Sequence, residues 1–232
     1  MVFPLYDTNP FKLARPPYVT WTLIALNIII FLIELGSDET TKAMLASFAA
    51  HPAAITHHTH PAGPVPPELT VLTSMFLHSG WDHLLGNMIY LWVFGDDIEE
   101  ALGPLRFLIF YILCGIAATL VFVAFNTRSD VPLIGASGAI SGVLAAYLML
   151  QPCAKVSVFV LRVVVRVRAY WVICGWALLQ IFLLSQNSDD GVAYLAHIGG
   201  LAAGAILFLV MRPPGVELFQ CIDPDEQTAT TG

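Results

Sequence analysis

The sequence predicts an all-α membrane protein, a bundle of six transmembrane helices, and three observations predict it. Hydrophobic residues make up 57% of the 232 and charged residues only 12%, with a mean hydropathy of +0.74 over the whole length. A soluble domain carries about a quarter charged residues, and no single soluble core would absorb so apolar a chain. Several apolar stretches approach the roughly 20 residues that a bilayer crossing needs. They follow one another closely, which indicates one membrane domain instead of a soluble domain on an anchor.

Residues 1–17, with Pro4, Pro10, Pro16 and Pro17, read as an irregular cytoplasmic lead-in. The membrane domain is expected over residues 18–212. Span 1 covers residues 19–33 and ends at Glu34. It follows Lys12 and Arg15 as a signal peptide would, but no small-residue cleavage site comes after it and further spans do. Residues 37–70 form a long outer loop, with a short interfacial helix expected over 42–50. The run His60-Pro61-Ala62-Gly63-Pro64-Val65-Pro66-Pro67 excludes a helix there. His78, at the foot of span 2, reads as a loop anchor. Span 2, residues 81–94, is the least apolar and carries His83 and Asn87. Span 3, residues 107–125, has no charge, and span 4, residues 131–150, is rich in small residues. Residues 156–168 mix aliphatics with Arg162, Arg166 and Arg168, the composition of a basic interfacial segment. Spans 5 and 6 cover residues 170–185 and 192–211. Residues 213–232 are a short cytoplasmic tail, expected to be disordered.

Charge sets the orientation. With the N-terminus inside, Lys12, Arg15, Arg106, Lys155, Arg162, Arg166, Arg168 and Arg212 all face the cytoplasm, and only Lys42 and Arg128 face outward. That bias predicts a multi-pass protein of the cell membrane with a cytoplasmic N-terminus. No basic stripe points to nucleic acid. Cys114, Cys153, Cys174 and Cys221 show no paired spacing, so neither a disulfide framework nor a metal site is expected. His57, His58 and His60 invite a metal hypothesis, but no carboxylate or cysteine pattern accompanies them and a solvated loop is the plainer reading. Asp96, Asp97, Glu99 and Glu100 read as a solvated end of span 2 that pairs with Arg106.

Polar residues inside a bilayer are costly and point to function. Asn87, Ser137 and His197 each lie about six residues past the outer end of their spans, roughly 9 Å deep at 1.5 Å per residue. Three distant segments thus bring polar groups to one depth. A serine hydroxyl becomes a nucleophile when a neutral imidazole takes its proton. Gly135 and Gly138 flank Ser137, and Gly200 and Gly204 follow His197. Small residues at such spacing let two membrane helices approach closely, as a direct Ser–His contact requires. His83 and Asn87 are four apart and share a helix face. They either glue neighbouring helices together or donate hydrogen bonds to a developing oxyanion.

Gly135-Ala136-Ser137-Gly138, Ala196-His197-Ile198-Gly199-Gly200 with Gly204, and His83-Leu84-Leu85-Gly86-Asn87 together resemble the signatures of the rhomboid family. Met75-Phe76-Leu77-His78 ahead of span 2, and Phe94-Gly95 with Glu99 and Gly103, fit the same pattern. The resemblance covers about residues 18–212. It implies a rhomboid-like bundle of six helices and an intramembrane serine endopeptidase that needs no cofactor and no metal. Its partners would be the lipid bilayer and single-span membrane proteins, cut near the outer leaflet. Ser137 would be the nucleophile, His197 the base, and His83 with Asn87 the oxyanion donors. Some rhomboids carry an aromatic four residues after the nucleophile, packing against the base; here Ser141 stands there, and what orients His197 is left open. A Trp-Arg pair found in some relatives is absent from the long loop. A catalytically dead relative would lack the Ser or the His, and a transporter would spread ionisable groups across the bilayer or show a repeat. The sequence does neither.

Overall fold

Helix α1 (Tyr18–Glu34) begins directly after Pro16-Pro17 and runs through seventeen residues to its first carboxylate. A computed structural model describes residues 3–7, 15–57, 63–160, 163–186 and 192–221. Three short helices, α2 (Asp38–Phe48), α3 (Pro52–His57) and α4 (Pro67–Thr73), occupy the long loop. Ser37 caps α2 by accepting the Thr40 N–H, and Asp38 and Glu39 fill its first turn, which complements the helix dipole. Four long helices follow: α5 (Trp81–Leu102), α6 (Pro104–Phe125), α7 (Ser137–Leu150) and α8 (Ala169–Ser185). The last is α9 (Tyr194–Met211). Pro104 cannot continue α5 and instead opens α6, so two 22-residue helices meet across one residue.

Helices α1 and α5 to α9 make the six-helix bundle. By length and composition, α6 and α9 each suffice to cross a membrane, and α1, α7 and α8 are apolar but shorter. α7 is the central helix, with eleven of its fourteen residues buried. Around it packs a core that includes Leu91, Phe94, Phe110, Tyr111, Val143 and Tyr147. The outside of the bundle shows Leu105, Phe125, Trp171 and Val210, large apolar side chains more than two-thirds exposed, as a lipid-facing surface should.

Several elements differ from the sequence reading. The lead-in is not irregular throughout: β1 (Phe3–Asp7) pairs antiparallel with β2 (Lys155–Val160). The segment expected to be a basic interfacial element is a hairpin of β2 and β3 (Val163–Arg168), in a sheet of order β1-β2-β3. Val156 opposes Val167 and Val158 opposes Val165, and the β2 members of these pairs are buried. The signal was present as a period-two alternation of valine with Lys155 and Ser157. The basic residues obscured it.

The start of the tail is ordered too. Cys221 forms a disulfide with Cys153, where the spacing of the cysteines gave no reason to expect a disulfide framework. Next to it, the N–H groups of Phe219 and Gln220 donate to the carbonyls of Met149 and Leu150 at 2.6 and 3.1 Å, which caps the end of α7.

The acidic run at the end of α5 is largely buried and does structural work instead of facing solvent. Glu99 accepts from the Val19 and Thr20 N–H groups at 3.0 and 2.7 Å and from the Thr20 hydroxyl at 2.8 Å. It therefore caps α1 from about eighty residues away. Asp97 is fully buried and accepts from Gln151 Nε2 at 3.2 Å. It also pairs with Asp7, which accepts the Tyr147 hydroxyl proton; burial raises the Asp7 carboxyl above the usual carboxylate range. These contacts pin β1 beneath the bundle.

Candidate active site

The chain enters α7 through an irregular stretch, residues 131–136, where the sequence predicts the start of a span. Unpaired backbone at membrane depth is costly unless protein satisfies it. Here Leu133 and Ala50 exchange hydrogen bonds at 2.8 and 3.1 Å, and Gly135 N–H donates to the Ser74 carbonyl at 2.9 Å. Ser137 is consequently the first residue of α7 and not its seventh, while Asn87 is the seventh of α5 and His197 the fourth of α9. Equal helical depth does not bring these groups together. The descending 131–136 segment does, by delivering the helix start itself to the site.

His197 Nε2 lies 2.9 Å from Ser137 Oγ. The approach depends on glycine. A Cβ on Gly200 would sit 2.1 Å from the Gly138 carbonyl oxygen, and one on Gly204 would sit 2.3 Å from Gly142 Cα, so α9 and α7 touch backbone to backbone. A Cβ on Gly138 itself would meet Ala118 at 2.6 Å. On its other side, His197 Nδ1 is 2.7 Å from Gln180 Oε1 on α8, and the Trp176 ring lies 5.6 Å from the imidazole at 39°. Nothing in the sequence singled out Gln180 or Trp176. A glutamine and a tryptophan on an apolar helix have no signature until the helix is seated against α9.

His83 and Asn87 come together beside Gly135, two residues ahead of Ser137. Gly135 has φ +112°, which disfavours any side chain, and a Cβ there would lie 2.7 Å from His83 Nε2 and 3.6 Å from Asn87 Nδ2. Asn87 Nδ2 is buried and has no hydrogen-bond partner among the described residues. His83 Nδ1 accepts from the Ser79 N–H at 3.4 Å and faces the Ser79 hydroxyl at 3.1 Å. A backbone N–H can only donate, so neutral His83 carries its proton on Nε2, the nitrogen nearer Gly135. The first turn of α7 adds N–H groups with no side-chain cap at the positive end of the helix. The site thus holds a hydroxyl, a base and several hydrogen-bond donors, of which Asn87 Nδ2 has no partner among the described residues, the set that acyl transfer uses.

His78, expected to anchor a loop, supports the site from below. Its N–H donates to Glu34 at 3.2 Å, and its ring packs edge-on against Phe31 and His83. Burial and the facing His83 push its imidazole down to about 4, which keeps it neutral. Among the described residues no three His, Cys, Asp or Glu side chains gather as metal ligands would, and His58 and His60 lie outside the described residues.

Two cavities meet at Ser137. One, of about 1340 Å³, opens between α5 and α8 and is bordered by Gly86, Tyr90, Trp171 and Trp176, with Val165 of β3 among its walls. The other, of about 10 Å³, lies against Gly115, Ala118 and Thr119 and has room for a very small group only.

A family model described as the Rhomboid domain matches residues 68–214. Rhomboid protease GluP of Bacillus subtilis (strain 168) is 34% identical over 133 residues, 57% of this chain and 24% of the relative. Presenilin-associated rhomboid-like protein A, mitochondrial, of Danio rerio is 37% identical over 144 residues, 61% of this chain and 35% of the relative. Rhomboid protease AarA of Providencia stuartii is 31% identical over 147 residues, 58% of this chain and 52% of the relative. The match spans between about a quarter and about half of these relatives' own lengths.

Proposed function

This chain belongs to the rhomboid family, and from that premise we propose that it is a serine endopeptidase cutting transmembrane segments of single-span proteins near the outer leaflet. The observation that carries the reading is the 2.9 Å contact between His197 Nε2 and Ser137 Oγ, with Asn87 Nδ2 beside it and unpartnered among the described residues. In the reaction, His197 Nε2 takes the Ser137 hydroxyl proton as Oγ bonds to the scissile carbonyl carbon. The carbonyl oxygen becomes an oxyanion, received by Asn87 Nδ2, His83 Nε2–H and an amide of the first turn of α7. Collapse breaks the C–N bond, and the imidazolium returns its proton to the leaving amine. Water, deprotonated by His197, then hydrolyses the acyl-serine and restores the hydroxyl.

The cavity between α5 and α8 offers a place for a membrane segment to meet Ser137. A peptide bond in an intact helix is shielded and held in its ladder, so the substrate must extend locally before attack. Glycine or proline near the cut should therefore favour cleavage, and the 10 Å³ cavity suits the small residue that the family implies just before the scissile bond. The eight-to-two bias of basic residues supports a multi-pass protein of the cell membrane with its N-terminus inside.

The test is cleavage of a single-span model substrate by purified, reconstituted protein. Ser137→Ala and His197→Ala should each reduce turnover to background, and the double variant should be little worse than either, since the pair acts as a unit. Sustained turnover by Ser137→Ala would sink the assignment.

A further inference from the structure

Removing a proton from Ser137 requires His197 to present a lone pair at Nε2, yet a neutral imidazole carries one N–H and is free to place it on either nitrogen. Placed on Nε2, it would donate to Ser137 Oγ and leave the pair inert. Something must hold the proton on Nδ1. Ser141, four residues past Ser137, does not: its hydroxyl is committed to the Ser137 carbonyl at 2.6 Å. Gln180 is buried, and its Oε1 lies 2.7 Å from His197 Nδ1. A carbonyl oxygen only accepts, so this contact requires Nδ1 to be the protonated nitrogen. Trp176, one turn earlier on α8, lies against the ring.

We propose that Gln180 is the positioning residue of the base, holding His197 in the tautomer and orientation whose Nε2 takes the Ser137 proton. The inference rests on the peptidase reading above and adds to it the part usually given to a carboxylate. A neutral amide serves here because the surroundings are apolar, where a buried carboxylate would carry its own desolvation cost. α8 buries only three of its seventeen residues, and Gln180 is one of them. The orientation of the base therefore depends on how α8 is seated.

The experiment compares wild type, Gln180→Leu and Gln180→Glu in liposomes, with Ser137→Ala as the zero. It measures kcat and KM on a single-span substrate, the rate at which a fluorophosphonate labels Ser137, and Tm. Labelling reads activation of the serine without substrate entry. Gln180→Leu keeps the bulk and removes the acceptor, so kcat and labelling should both fall tenfold or more while KM stays within about twofold, general-base assistance being worth about 10²–10⁴ in all. Gln180→Glu restores an acceptor at the same reach and should label at least fivefold faster than Gln180→Leu. That ratio is taken per folded protein and so decides even where leucine lowers Tm. A ratio near one, or wild-type kcat in Gln180→Leu, would overturn the proposal. A wild type that neither cleaves nor labels would instead overturn the peptidase reading, and this proposal with it.

Discussion

Asn87 is the residue whose loss separates chemistry from packing. Its Nδ2 is buried without a hydrogen-bond partner among the described residues, so the resting fold gains nothing from that donor. An interaction made only in the transition state lowers turnover when it is removed, without a matching loss of stability. Asn87→Ala should therefore lower kcat by about tenfold or more, toward the 10²–10³ typical of a single oxyanion donor. The loss should stop short of that expected for Ser137→Ala, because in the proposed mechanism His83 and a backbone N–H also face the oxyanion. Turnover and melting temperature measured on one preparation check this. A lower Tm with unchanged turnover would return Asn87 to helix packing.

Among the helices, the contact between α7 and α9 holds the site together. Gly200 and Gly204 face backbone atoms of α7, which cannot rotate away as a side chain could. Gly200→Ala must therefore push the two helices apart, and the Ser137–His197 distance must grow with them. Overpacking of this kind costs about 1–3 kcal/mol, and turnover should fall more than tenfold, since a misplacement of about 1 Å can cost 10²-fold. Gly175 on α8 serves as the control, because a Cβ there would find nothing within 4 Å. Gly175→Ala should leave stability within about 0.5 kcal/mol of wild type. Thermal unfolding of both variants in detergent tests the pair, and equal Tm values would contradict the backbone contact.

For the molecule as a whole, orientation in the membrane turns on two signals. Basic residues favour an inner face that carries the β-hairpin, α6's first turn and the end of α9. The Cys153–Cys221 disulfide lies on that same face and opposes the assignment, because cytosolic thiols are kept reduced. Loop charge acts during insertion, before the fold that pairs these cysteines exists, so the proposed orientation follows the charges, and the two signals make opposite predictions for labelling. Single cysteines placed at the exposed positions Arg128 and Val164, in a background with Cys153, Cys174 and Cys221 replaced by serine, should react with an impermeant maleimide from opposite sides. Arg128→Cys should label in intact cells and Val164→Cys only after lysis. The reverse pattern would place the site in the cytoplasmic leaflet.

The sequence by itself determined the class of fold and marked the four side chains that the proposed chemistry uses. Both are local signals: long apolar runs need a bilayer, and Ser137, His197, His83 and Asn87 stand out because polar groups are rare inside one. It also marked the glycines, since close helix approach leaves no other residue type available. Only the tertiary structure decided how these pieces meet. The unwound 131–136 segment, satisfied by Ala50 and Ser74, sets the depth of Ser137, and no helical count along span 4 would have found it. Glu99 looked like a solvated carboxylate because its partners, Val19 and Thr20, lie about eighty residues away. The hairpin was hidden by its arginines, and β1 by its small size and its distance from β2. Gln180 and Trp176 answer what orients His197, and they do so from a helix whose residues carry no periodic signal toward α9. Residue type records what a side chain costs in a membrane, whereas its partner is set by which helices pack against each other, and that is a property of the folded chain alone.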